Sequence, residues 1–337
     1  MVALDRPWVG THFDFQGFPI TSQVQIEELR ACCRSVFVDL EREIWTPAQG
    51  VTAHPLHGST LYTDVVPVEK ELPAARDIYR ACECALDDLL AKISREGDLD
   101  AQALSSAMSA VVASIQRSPG ALLLLSAVRR EDSYGLALAM DTAILMVAFG
   151  RFLQYPAPRL AVLGLAGVLL DVGMTMLPHA VVHALGADEV VDDGLIETHV
   201  LHSVELIRCA RALPGGVDEV VLLHHERQDG EGYPYGLAGD QIYVDGALAA
   251  VVDSYSKLPR PKGGHMSASR ALNLLHKQRG HALHEGLVEK FIQCIGVYPV
   301  GSAVEMKTGE AGRVIAQDPV RRLSPRVMVR RDPAGIA

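Results

Sequence analysis

From Ala101 to Glu226 six apolar stretches with helical spacing follow one another: 101–116, 119–128, 134–153, 159–172, 195–212 and 217–226. Apolar residues that recur at three and four positions mark a helix face that must be covered. Pro, Gly and Asp stand in the connections and end each run. So many apolar helices in a row leave a helical bundle as the economical way to bury them. Three later runs, "GALAAVVDSYSKL", "ASRALNLLHKQ" and "HEGLVEKFIQCIG", add further helices. The charged segment 69–100 is helical in pattern and links the bundle to what precedes it.

Both ends differ from the middle. Residues 1–66 combine an amphipathic segment, "VQIEELRACC", with the alternating "SVFVDLE", and predict a small α+β domain. Near the C-terminus "SAVEMKTGEAGRVIAQ" predicts two strands around a Gly-containing turn, and "PRVMVRRD" a third. The fold class expected is mainly α, a helical bundle with a small C-terminal β element behind a small α+β domain. The expected divisions are 1–66 for the small domain, 67–100 for a helical linker, 101–312 for the bundle and 313–337 for a strand-containing tail.

Composition removes several functions. A formal charge of −10 opposes a broad DNA-binding surface. The six cysteines show no zinc-finger spacing and read as ordinary thiols. The start of the sequence has no basic segment followed by an apolar run, so no signal peptide is expected. The longest apolar runs, "ALLLLSAV" and "LAVLGLAGVLL", are far shorter than the ~20 residues of a spanning helix. A cytoplasmic chain with no membrane partner is expected. P-loop, dinucleotide-fingerprint and nucleophile-elbow patterns are not found.

Chemistry concentrates in "HHERQDGEGYP", from His224 to Pro234. Neighbours on a helix point about 100° apart, so two adjacent imidazoles can address two different points. Asp171 closes the apolar run "VLLDVG", His199 lies in "IETHVLHSVELI", and Asp253 lies in "AAVVDSYSKL". A carboxylate at the end of a buried run is costly unless paired or metal-bound. Imidazole and carboxylate together suit Fe, Mn, Zn or similar ions. Each residue alone also reads as a satisfied polar core residue. Arg227, Arg260 and Lys262 stand close enough in sequence to meet a phosphate, and read equally as solvated side chains. The other ten histidines read as surface or loop residues.

"HHERQDGEGYPYGLAGDQI" resembles the signature of the HD-GYP family, bacterial hydrolases of cyclic di-GMP, at every position of its pattern: HHE, R, DG, GYP, GL, G and I. "FIQCIGVYPVGSAVEMKTGEAGRVIAQ" is similar to that family's closing segment, and "LDRPWVGTHFDFQGFPITSQVQIEELRACCRSVFVDLE" to the small N-terminal domain that often precedes it. The resemblance spans about two-thirds of the chain. It implies an HD-type helical bundle with a two- or three-metal centre. The positions matching the family's metal ligands are Asp171, His199, His224, His225 and Asp253, with Asp171 the candidate catalytic residue. Arg227, Asp229, Gly232, Tyr233 and Pro234 would contact substrate or partner, with an exposed Tyr233 forming part of that surface.

The same comparison marks departures. Leu138, in "DSYGLALAMDTAILMVAFGR", stands where the family has an early His. In "LLDVGMTMLP" the His of the defining pair falls on Leu170 and the phosphate-contacting Lys on Met174. Ser256 replaces a second Asp. Leucine neither ligates metal nor acidifies water. The expectation is therefore a degenerate HD-GYP protein, impaired in hydrolysis, that binds cyclic di-GMP, a diguanylate cyclase-type signalling protein, or both. Two alternatives stand beside it. One is a working cyclic di-GMP phosphodiesterase with a reduced centre of Fe, Mn or another divalent metal. The other is a structural module in which GYP is only a buttressing turn.

Overall fold

The structure is a computed structural model that describes residues 2–4, 36–38, 56–129, 135–178, 180–182, 192–258, 268–317 and 324–331. The chain divides into two compact units, Met1–Thr52 and Ala53–Ala337. In the first, β1 (Val2–Leu4) pairs antiparallel with β2 (Val36–Val38), which lies within the run read as a strand. The helical expectation over 24–33 lies outside the described residues.

The second unit begins its helices with α1 (Val68–Glu96), which buries Val68, Ala75, Tyr79, Cys82, Leu86, Leu89 and Ile93 along one face. Gly97 ends it at φ 68°, a conformation that a Cβ would strain. The helix lies on α2 (Gln102–Arg117) and α3 (Pro119–Arg129). One carboxylate sits in that seam: buried Glu71 accepts from Ser114 Oγ at 2.8 Å and from Arg117 Nη2 at 2.6 Å.

The core is the pairing of α4 (Gly135–Phe152) with α5 (Ala157–Leu169). All residues from Met140 to Gly150 are buried, as are Leu163 to Leu169. Helices this apolar on all sides belong inside a protein. They approach closely because Gly167 faces the Ala143 backbone and Gly164 faces Met108 and Val147, where a Cβ would collide. The 20-residue stretch Ala157–Met176 is apolar enough by composition to cross a membrane, but 61% of its most apolar window is buried within the fold.

Next come α6 (Asp193–Glu197), α7 (His199–Cys209), α8 (Val217–Leu223), α9 (Val244–Ser256), α10 (Ala268–Lys277) and α11 (Glu285–Ile295). A three-stranded antiparallel sheet follows, in the order β3 (Ala303–Glu305), β4 (Ala311–Ala316), β5 (Arg326–Arg331). The mainly α class, the bundle and the closing β element are as the sequence predicts.

Three helix ends differ from the periodicity. The run over 159–172 stops at Leu169, and a 3-10 turn, Val172–Met176, takes over. The run over 195–212 breaks at Thr198, whose hydroxyl donates to the Leu195 carbonyl at 2.6 Å. The run over 217–226 stops at Leu223, where the Glu226 N–H turns back to the Leu223 carbonyl. Cys82 is buried, Cys294 half-buried, and Cys84 and Cys209 are exposed; all four are free thiols. Burial pushes the Cys82 and Cys294 thiols up to about 12, which makes them poor nucleophiles.

Candidate metal centre

Each broken helix end carries one corner of a single cluster. Asp171 lies between α5 and the 3-10 turn, His199 opens α7, and His224 and His225 follow α8. One ligand atom from each of these four residues lies within 4.8 Å of the others. His224 and His225 therefore both belong to this cluster, with ring centroids 4.0 Å apart. Both stand in the turn just beyond α8 and not on the helix itself as the periodicity predicts.

Two imidazoles are fixed by the backbone. His199 Nδ1 meets the Ile196 carbonyl and His224 Nδ1 the Val221 carbonyl, each at 2.6 Å. With Nδ1 as donor, Nε2 keeps its lone pair, the tautomer a metal ligand needs. Both Nε2 atoms are buried without a hydrogen-bond partner and face Asp171 Oδ1 at 3.2 and 3.8 Å. Unpartnered buried nitrogens aimed at a carboxylate fit a divalent ion. Burial and the nearby Lys257 charge depress the basicity of His225.

The fifth expected ligand, Asp253, is one step removed. It lies on α9 with its side chain 7% exposed, and it binds Lys257 Nζ at 3.0 Å. The same ammonium stands 2.9 Å from Asp171 Oδ2 and 3.2 Å from Oδ1. Burial alone would raise the Asp171 carboxyl, but the Lys257 ammonium holds it well below the usual carboxylate range. For Asp253 burial prevails, reinforced by the Asp171 charge, and its carboxyl is raised despite Lys257. Burial would lower the Lys257 ammonium, yet the two carboxylates raise it and keep it charged. Sequence reasoning missed Lys257. The available signal was its place four residues after Asp253, one helical turn along.

The substituted positions flank this cluster in the chain. Leu170, 2% exposed, packs in the core beside Asp171, while Leu138 and Met174 are half-buried. The Met174 N–H donates to the Asp171 carbonyl at 2.9 Å and so helps form the turn that presents the carboxylate. Ser203 secures the turn from α7: its hydroxyl meets the Gly173 N–H at 2.8 Å and the Leu170 carbonyl at 3.1 Å. A Cβ at Gly173 would run into the His199 carbonyl and the Ser203 nitrogen, both backbone atoms. Gly173→Ala is expected to cost about 1–3 kcal/mol as overpacking and to separate Asp171 from His199. Chemical denaturation and Mn(II) titration read the two effects; unchanged Mn(II) affinity would refute the second.

The Gly-Tyr-Pro loop folds over the imidazoles. Tyr233 is half-buried, not exposed as expected, because its ring stacks on His225 at 4.6 Å and its N–H donates to the His225 carbonyl. The more exposed ring is Tyr235, at 46%. Pro234 is half-buried, and Gly232 allows close passage, since a Cβ there would meet the His225 carbonyl and the Arg227 nitrogen. Buried Glu226 holds the far side, accepting from the Tyr235 and Leu237 N–H groups at 2.7 and 2.8 Å. Arg227 is engaged by Asp229 at 3.0 and 2.6 Å, and His281 also contacts Asp229. Arg260 and Lys262 lie outside the described residues. Of the other histidines, His57, His276 and His281 are exposed, His202 and His284 are half-buried, and His12, His54, His179, His183 and His265 lie outside them.

Residues 124–285 match the HD domain family. The chain carries an HD domain. Residues 1–104 match a domain of unknown function, DUF3391, so the HD domain is accompanied by the small N-terminal domain expected from the sequence. A cyclic di-GMP phosphodiesterase of Pseudomonas aeruginosa is 29% identical over 321 residues, 93% of this chain and 77% of the relative. A 3'3'-cGAMP-specific phosphodiesterase of Vibrio cholerae is 34% identical over 94 residues, 28% of this chain but only 18% of the relative. The solved structure of an HDG"Y"P protein from Bdellovibrio bacteriovorus is similar with a TM-score of 0.50 at 14% identity, covering 66% of this chain and 76% of that one. That likeness is one of fold.

Proposed function

We propose that this HD-domain chain acts in cyclic di-GMP signalling with its hydrolytic chemistry impaired, by binding the nucleotide, a signalling protein, or both. The similarity to a cyclic di-GMP phosphodiesterase over 93% of the chain supports the pathway. The composition of the cluster carries the impairment. Asp171, His199, His224 and His225 converge, but Leu138 and Leu170 stand where the family resemblance implies two more imidazoles. Met174 stands where it implies the phosphate-holding Lys, and Asp253 is committed to Lys257.

The four convergent residues would hold one Fe, Mn or similar ion. Such an ion supplies Lewis-acid polarisation of a phosphoryl oxygen and a more acidic water. The chain's own part is to orient the imidazoles through backbone carbonyls, to cover His225 with Tyr233, and to present the Asp171 carboxylate where such an ion would be held. A cyclic dinucleotide would lie along the loop of Asp229, Gly232, Tyr233 and Pro234, with Arg227 reaching it only by leaving Asp229. A diguanylate cyclase-type partner would meet the exposed Tyr235. A cytoplasmic location is part of this reading, supported by the burial of the most apolar helix within the fold.

The convergence of four ligand atoms also favours a second reading, slow hydrolysis of the 3'-5' phosphodiester at one metal, giving the linear dinucleotide or GMP. Cyclic di-GMP turnover with Mn(II) and, anaerobically, with Fe(II), run beside an active relative, separates the two. No turnover together with calorimetric binding of the nucleotide supports the first reading. Turnover that vanishes in His225→Ala establishes the second. Neither turnover nor binding of nucleotide or cyclase would remove both.

A further inference from the structure

We propose that the Lys257 ammonium is a resident cation of this site, which ties Asp253 to Asp171 and confines divalent-metal binding to one ion held by Asp171, His199, His224 and His225. Lys257 caps the C-terminus of α9, with its N–H bonded to the Asp253 carbonyl at 2.9 Å. That end of a helix favours a cation, and the spacing of four residues brings the side chain back over Asp253. Its position is thus set by the helix. Nζ lies 2.9 Å from one carboxylate and 3.0 Å from the other, so one cation spans both.

The chemistry of Asp253 leads to the same place. Its side chain is 7% exposed, and an unpaired carboxylate that deep is costly. Lys257 provides the pairing that a second metal would otherwise provide. A divalent ion shared by Asp171 and Asp253 would take the place that Nζ holds between them, and like charges that close repel strongly. The ion and the ammonium therefore exclude one another at that point. Asp171 Oδ1, 3.2 Å from Nζ, also faces the unpartnered Nε2 atoms of His199 and His224 at 3.2 and 3.8 Å, and that corner stays available to one metal. The number of ions bound does not depend on whether the nucleotide binds.

The full chain, stripped of metal, is titrated with Mn(II) and read by calorimetry and by electron paramagnetic resonance of free Mn(II). The wild type is expected to bind one ion per chain, and Lys257→Met to bind two, or one at least about tenfold more tightly. In a double-mutant cycle, Asp253→Asn should change wild-type affinity by less than about threefold but weaken Lys257→Met by about tenfold or more. Two ions in the wild type, or identical count and affinity in Lys257→Met, would overturn the proposal. Should Lys257→Met fail to fold by circular dichroism, the doubly neutral Lys257→Met/Asp253→Leu chain decides. One ion at wild-type affinity supports the proposal, and lost binding makes Asp253 a ligand and refutes it.

Discussion

His224→Ala is expected to lower Mn(II) or Fe(II) affinity by about 100-fold or more, since loss of a mere supporting hydrogen bond already costs about 10–100-fold. The imidazole is buried, its Nδ1 is bound to Val221, and its Nε2 faces Asp171. No other described side chain can replace it, because the neighbouring His225 already contributes to the cluster. The effect on the metal-free protein should be much smaller. Nε2 makes no hydrogen bond there, so the losses are a cavity and the Nδ1 bond to the Val221 carbonyl. Thermal melting with and without Mn(II) tests both halves. At a hundred times its dissociation constant an ion stabilises the fold by about 2.7 kcal/mol. The wild type should show that rise and His224→Ala should not. An equal Mn(II)-dependent rise in both would mean that the ion binds elsewhere.

Such a centre was legible in the sequence through its residue types and not through its geometry. Asp171, His199 and His224 were found because polar groups interrupt apolar runs where burial makes them expensive. Their convergence is implied by the family resemblance but is not readable from periodicity, because it depends on three helix ends that the periodicity overran. Leu170, Val172 and the residues around Thr198 continue the apolar spacing, so pattern alone extends the helices. What stops them is local and polar: the Met174 N–H on the Asp171 carbonyl, the Thr198 hydroxyl on Leu195, and the Glu226 N–H on Leu223. Functional sites are where the levels of sequence information are expected to disagree. Tyr233 shows the same limit. Its type suits a binding surface, but its ring is used against His225. Lys257 was hidden for another reason, since a Lys at a helix end is the commonest of solvated residues. Its partner one turn back, Asp253, is visible in the sequence, but the facing Asp171, 86 positions away, is not.

Arg159→Ala is expected to destabilise the fold by about 3–5 kcal/mol, the usual cost of stranding one member of a buried ion pair. Arg159 lies in the first turn of α5 and grips Asp245, in the first turn of α9, through Nε at 2.9 and 3.1 Å and Nη2 at 2.6 Å. Asp245 is 4% exposed at its side chain and Arg159 18%, so water screens little of the pair. The guanidinium also lies 3.6 Å from the centre of the buried Tyr155 ring, adding a stacking contact. Melting temperature should fall on the order of 10 °C. Arg159→Lys, which keeps the charge but loses the fork and the stacking, should fall between. Arg159→Leu/Asp245→Leu should regain most of the loss, because it strands no charge. The consequence reaches the site, since α5 delivers Asp171 and α9 delivers Asp253 and Lys257. Loosening the joint between these helices should weaken Mn(II) binding in Arg159→Ala and restore it in the doubly apolar chain. A single variant within about 1 kcal/mol of wild type would place the pair among surface ion pairs. The register of α5 against α9 would then rest on the apolar core alone.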